Sequence, residues 1–292
     1  MIGSRLLREL DGKSQTTLQL VRRKPVSAGQ LQWNPVDPHP ISDPAGEQMG
    51  EISAAVHLSG ASIAGHRWTP EYKRELLESR TVPTLAIAKI LAGRHVKPHV
   101  MVSASAVGFY GNRGDELLTE RSAAGFGFLP EICEAWEAAT KPAEDAGIRV
   151  VHLRFGVVLG RADGALAKLL PIFNLGLGGP LGNGQQWMSW ISLTDAVSAI
   201  LFAIDNERLN GAVNAVVPEP LTNAEFTRAM GQALGRPAVI PTPAFAIKLA
   251  FGEMAETVLG SQRVLPERLI DAGFAYRYPE VLRAIQGETR QA

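Results

Sequence analysis

The chain holds a single cysteine, Cys133, among 292 residues. An internal disulfide framework is therefore excluded, and cysteine usage points to a reducing cytoplasm. Neither charge is in excess, since 29 Lys and Arg stand against 29 Asp and Glu. That balance removes the electrostatic grip expected of a protein whose main partner is nucleic acid or an anionic membrane. No apolar run approaches the roughly 18 residues needed to span a bilayer. Met1 to Leu10 lack the apolar stretch of a signal peptide. The six histidines show no ligand spacing, and Cys133 has no partner, so no metal site is expected. A G-x-S-x-G elbow is missing as well, which leaves hydrolase chemistry of that kind without support. What survives is a cytoplasmic protein acting on a small molecule, with an apolar fraction of 46% that supports a sizeable core.

The patterning predicts alternating helices and strands. Gly3 to Leu10 reads as a helix with Leu6, Leu7 and Leu10 on one face. Thr16 to Val21 and Leu31 to Trp33 have strand character, and a Pro- and Asp-rich loop runs on to Gly50. Ala54 to Leu58 predicts a buried strand, followed by a long helix over 70–92 and a strand over 100–105. A helix covers 135–146 and a strand 149–154. After Gly156 the texture changes. A glycine-rich segment, 175–184, leads to Trp187 and Trp190, then to a helix over 194–205, a strand over 212–217 and a helix over 222–234. Beyond Pro241 the chain reads as helical. Apolar strands alternating with helices predict an α/β fold, a Rossmann-like doubly wound parallel sheet with a small, mostly helical C-terminal region.

Four segments carry chemistry in two readings each. Gly3 opening a helix is either an ordinary N-terminal start or the last glycine of a dinucleotide loop. Arg22 and Arg23 follow the strand over Thr16 to Val21, at the place where the second strand of a Rossmann unit ends; arginine there accommodates the 2′-phosphate of NADP, and a solvated charge run is the plain alternative. Ser103, Ser105 and Tyr110 end a strand and its following turn. They either cap that turn or place hydroxyls in the crevice where open α/β sheets bind ligands. Trp187 and Trp190 either pack a sheet or line a substrate pocket.

Taken together, these segments resemble one family. Gly3-Ser4-Arg5-Leu6, Leu58-Ser59-Gly60, Arg67-Trp68-Thr69 and Glu78-Ser79-Arg80 are similar to the atypical short-chain dehydrogenase/reductases called epimerase family proteins. So are Ser103 to Gly108, Tyr110-Gly111, Leu153 to Gly160, Gly178 to Gly182 and Gln186 to Ile191. Gly252 to Ala255 and Ser261 to Pro266 resemble the small tail domain of the same family. The likeness spans essentially the whole chain. It implies a first strand and glycine loop of which Met1-Ile2-Gly3-Ser4 matches only the end, so that the first strand of the sheet is expected to be missing. It further implies a division into a dinucleotide-binding part (1–160), substrate-side segments (161–240) and a helical tail (241–292).

By this resemblance the cofactor is NADP(H), with the arginines speaking against NAD(H), and the substrate is an unidentified small molecule. Cofactor contacts fall to Gly3, Arg22, Arg23, Leu58, Ser59, Gly60, Arg80, Ser103, Arg154, Gly156 and Val157, and substrate contacts to Trp187 and Trp190. The parent superfamily uses a serine with a Tyr-x-x-x-Lys pair, in which the tyrosine donates the proton. Ser105 takes the serine position, but Leu129 and Cys133 stand where the pair is expected. Tyr110 is then the remaining proton donor, and Ser105 holds the substrate oxygen. Two functions follow: an oxidoreductase or epimerase-like enzyme, or a catalytically silent NADP(H)-binding regulatory module.

Overall fold

A computed structural model of the chain describes residues 1–13, 15–37, 41, 49–162 and 164–290. The chain opens with helix α1 (Ile2–Gly12), strands β1 (Gln19–Val21), β2 (Gln30–Gln32) and β3 (Ala54–His57), and helix α2 (Pro70–Ala92). Strand β4 (Val100–Ala106) runs into a 3-10 turn (Val107–Tyr110) and the short strand β5 (Leu117–Leu118). Helices α3 (Phe128–Ala138) and α4 (Lys141–Asp145) precede β6 (Arg149–Phe155) and β7 (Val157–Leu159). Then come α5 (Ala165–Asn174), β8 (Trp187–Met188), β9 (Trp190–Ser192), α6 (Leu193–Asp205), β10 (Gly211–Ala215), β11 (Leu221–Thr222) and α7 (Asn223–Leu234). The tail comprises α8 (Ala244–Phe251), α9 (Glu256–Leu259), β12 (Arg263–Val264), α10 (Glu267–Asp271) and α11 (Val281–Arg290). The loop expected up to Gly50 falls largely outside the described residues, as does His39, one of the six histidines.

Local chemistry accounts for the boundaries. Thr69 caps α2 by accepting from the Tyr72 amide, and Pro70 fits the first helical position, where no amide partner is needed. Helix α7 starts with a reciprocal capping box between Thr222 and Glu225 and ends on Gly235, whose φ of 61° favours glycine. The single helix expected over 135–146 is two: α3 ends at Ala138, and Pro142 sits in the first turn of α4.

Four strands form the central parallel sheet in the order β10-β6-β4-β3, while β1 and β2 form a separate parallel pair. That pair packs Leu20 and the following Trp33 against a cluster that includes Ala55, Ile87 and Met101. No described strand bridges β1 and β3 by hydrogen bonds. The register alternates side chains between two faces. Val100, Val102 and Ala104 of β4 with Val151, Leu153 and Phe155 of β6 face one way, into the cluster shared with Leu6 of α1 and the apolar residues of α6. Met101, Val150 and Ala55 face the other way, onto Ile87, Ala88 and Leu91 of α2 and Ala143 of α4.

The tail is tied to this core by carboxylates at the start of α6. Glu288 of α11 is buried and accepts from the backbone amide (2.9 Å) and the hydroxyl (2.8 Å) of Thr194. Asp195 is buried and accepts from the amides of Arg277 and Tyr278 at 2.7 and 3.0 Å. Negative charge at a helix N-terminus is favourable, and here it also satisfies amides that the helix leaves unpaired. Among the described residues, no helix is long and apolar enough to cross a membrane.

Candidate functional site

Ser105, Arg154 and Asn214 are register partners on β4, β6 and β10, so their side chains stand in one row across the end of the sheet. The row lies on the face turned toward α2 and α3. Helix α3 contributes Glu137, whose carboxylate takes two parallel bonds from Arg154, Nε to Oε1 and Nη2 to Oε2, both 2.8 Å. Ser105 Oγ donates to the same Oε1 at 2.7 Å. Arg154 Nη1 donates to the Tyr110 hydroxyl at 3.1 Å, and that hydroxyl donates to Asn214 Oδ1 at 2.7 Å. The guanidinium also lies 3.3 Å from the centre of the Phe109 ring. The result is one hydrogen-bonded chain from Ser105 through a buried ion pair to Asn214, in which the carboxylate and the cation satisfy each other.

Burial works against the Arg154 charge, yet the Glu137 carboxylate and the Tyr110 hydroxyl hold its pKa above the ordinary value. Burial pushes the Tyr110 pKa up, and Arg154 only partly offsets this. Burial also pushes the Cys133 thiol up to about 12, so it stays protonated at neutral pH. One row earlier in the register, His57, Ser103 and His152 stand side by side on the same face. Burial brings His57 down to about 4, and its Nε2 has no partner among the described residues; His152 is lowered as well and shares a 2.8 Å hydrogen bond with Thr140.

The expected site residues divide into two groups. At the ends of the strands, Gly3 lies 3.8 Å from Leu58 by the position its Cβ would take, Ser59 and Gly60 are exposed, and Gly156 and Val157 are partly exposed after β6. Arg22 and Arg23 are exposed just past β1. The second group is sealed. Tyr110 is fully buried and its proton is committed to Asn214, which argues against the acid role expected of it. Ser103 is fully buried between strands. Trp190 is 1% exposed and belongs to the apolar cluster of Leu159 and Phe226, so it packs rather than lines a pocket. Arg80 donates to the carbonyls of Leu76 and Ala61, which occupies it in fixing the turn after β3. Sequence reasoning missed Glu137 and Asn214. The readable signal was the alternation of polar residues at 103, 105, 152 and 154 within otherwise apolar strands.

The residues at the strand ends suit a dinucleotide. Among the described residues no side chain caps α1, and its first turn holds no acidic residue, so its amides present partial positive charge. The start of α1 stands beside Leu58 after β3 and beside Gly160 after β7, whose Cβ would meet the Met1 sulfur. Arg22, Arg23 and Lys24 form an exposed cationic run at the end of β1. These are donors for phosphate oxygens.

Fold and site together define a Rossmann-type α/β protein of the short-chain dehydrogenase/reductase kind. The model described as the NAD dependent epimerase/dehydratase family matches residues 1–215, and the chain belongs to that family. A second model, for the domain of unknown function DUF1731, matches residues 242–287. The chain is 43% identical over 290 residues to Epimerase family protein Mb2239 of Mycobacterium bovis, covering 98% of this chain and 93% of that protein. Its fold superposes with a TM-score of 0.90 on the human epimerase family protein SDR39U1, crystallised with NADPH, at 31% identity over 100% of this chain and 97% of that one. A nucleoside-diphosphate sugar epimerase from Corynebacterium glutamicum gives a TM-score of 0.79 at 36% identity, covering 99% of this chain and 56% of that chain.

Proposed function

We propose that the chain is an NADP(H)-dependent oxidoreductase, epimerase-like in ancestry, acting on a small molecule in the cytoplasm. The carrying observation is the exposed Arg22-Arg23-Lys24 run at the end of β1, with the uncapped start of α1 nearby. The NADPH of the human relative's structure supports the same choice. In this reading Gly3, Leu58, Ser59, Gly60, Gly156 and Val157 line the dinucleotide, and Arg22 and Arg23 hold its 2′-phosphate. The bound cofactor supplies hydride chemistry.

Ser105 holds the substrate oxygen. Its hydroxyl hydrogen points to Glu137, so the serine offers a lone pair to a substrate hydroxyl, and Glu137 stands behind it as the group to which a proton can pass. Arg154 keeps that carboxylate in place, and Tyr110 keeps Arg154 in place. The sealed Tyr110 and the Leu129 and Cys133 pair favour a second reading, a silent NADP(H)-binding regulatory module.

Calorimetric titration of NADPH and NADH tests the cofactor assignment. NADPH is expected to bind at least about tenfold tighter, or about 1.4 kcal/mol, and Arg22→Ala with Arg23→Ala is expected to erase the difference. Equal affinities, or no binding by the folded chain, would remove it. Exchange of label between NADPH and carbonyl compounds separates the enzyme from the silent module.

A further inference from the structure

The balance of charge over the whole chain hides a local excess. Residues 165–182 and 233–252 together hold Lys168, Arg236 and Lys248 and no Asp or Glu. Their uncharged polar side chains are Asn174 and Thr242 alone. The two segments run side by side. The Ile240 amide donates to the Gly178 carbonyl at 3.2 Å, the Thr242 amide to Pro180 at 2.9 Å, and the Gly182 amide to Thr242 at 2.9 Å.

Their surface is apolar. Of the sixteen large apolar side chains that stand exposed among the described residues, eight lie in these two segments. Helix α8 presents Phe245 (74% exposed) and Leu249 (78%) one turn apart on one face, with Lys248 beside them, and buries only Ile247. Leu175, Leu177 and Val239 continue the patch across the turn after α5. Arg67 adds a further cation at the end of α8, donating to the Leu249 carbonyl at 3.1 Å. The carboxylates that flank the second segment are engaged, Glu225 in the capping box of α7 and Glu253 with Lys73.

A helix that is apolar on nearly every side belongs in an apolar medium, and an exposed apolar patch of this extent marks a binding surface. Charge decides what it binds. Two copies meeting through the same patch would set cation against cation with no acid to answer them. A protein interface needs hydrogen-bonding side chains across its area, and these segments have almost none. An apolar face with cations and no acid matches a hydrocarbon layer topped by phosphates.

We propose that this face rests on the surface of an anionic lipid bilayer, with Phe245 and Leu249 below the headgroups and Lys248 beside the lipid phosphates. The contact is peripheral, because the eight residues of α8 fall far short of the roughly 20 needed to span.

The test sediments the full chain with two kinds of vesicle, phosphatidylcholine alone and phosphatidylcholine mixed with phosphatidylglycerol. Binding to the mixed vesicles is expected, at least about tenfold weaker to phosphatidylcholine alone, and falling as salt is raised. Phe245→Ser with Leu249→Ser should weaken it at least about tenfold, and Lys248→Gln about fivefold, with circular dichroism unchanged. Should the double serine variant fail to fold, Lys248→Gln and the salt dependence decide. Failure to bind the mixed vesicles, or equal binding by the variants, overturns the proposal and leaves the face to a protein partner. A dimer in the absence of lipid, lost in the double serine variant, overturns it in favour of a second copy.

Discussion

The two faces of the central sheet are built from the same strands and have opposite characters. Toward α1 and α6, strands β4 and β6 present Val100, Val102, Ala104, Val151, Leu153 and Phe155, all within one apolar cluster. Toward α2 and α3, the alternate positions include Ser103, Ser105, His152 and Arg154, all buried. The first face is stabilising outright, by roughly 1.5–3 kcal/mol for each large side chain removed from water. The second is stable only while each polar group keeps its partner, since a buried charge without one is far more costly than an apolar replacement. One sheet thus separates an apolar side that holds the fold from a buried polar side to which we assign the chemistry.

The comparison breaks most sharply at the ion pair. Arg154→Met leaves the Glu137 carboxylate half-sealed without its cation and is expected to cost about 3–5 kcal/mol in urea unfolding. Arg154→Met combined with Glu137→Leu should recover most of that loss; if the single change proves neutral, the polar face is not held as described.

A smaller effect belongs to His57, whose folded pKa is about 4 against an ordinary 6.5. Between these values the unfolded chain binds a proton that the folded chain refuses, so stability falls as pH falls through that window. His57→Leu is expected to remove about 2 kcal/mol of the stability difference between pH 7 and pH 5. An unchanged pH profile would mean that His57 is protonated in the folded chain.

The smallest effect is at Tyr110. Tyr110→Phe loses the bonds to Arg154 and Asn214 for about 1 kcal/mol, with hydride exchange retained. Exchange abolished in a variant that stays folded would return the acid role to Tyr110.

Much of this was legible in the chain. Continuous apolar runs marked β4 and β6, and the helical patterns read over 70–92 and 194–205 correspond to α2 and α6. Ser105 was readable as a hydroxyl at the end of a strand, and Arg154 through the family resemblance. Their partner Glu137 was not, since it lies 32 and 17 positions away and meets them only when α3 packs on the sheet. Asn214 was hidden for the same reason, on a strand that joins the row from the far edge. Trp187 and Trp190 looked alike in spacing, yet one sits in β8 under Arg263 and the other turns inward from β9. Short strands leave little pattern from which to tell inside from outside.

The bond from Glu288 to Thr194 also bears on how the molecule is made. A ribosome delivers the first turn of α6 long before the carboxylate that closes it, 94 positions later. Until α11 emerges, the central helix of the apolar cluster has only water to answer that amide, and the nascent chain has its sheet without its clasp. Completion of the native state is thereby tied to the arrival of the tail, and release of a shortened polypeptide would leave a core that chaperones can recognise as unfinished.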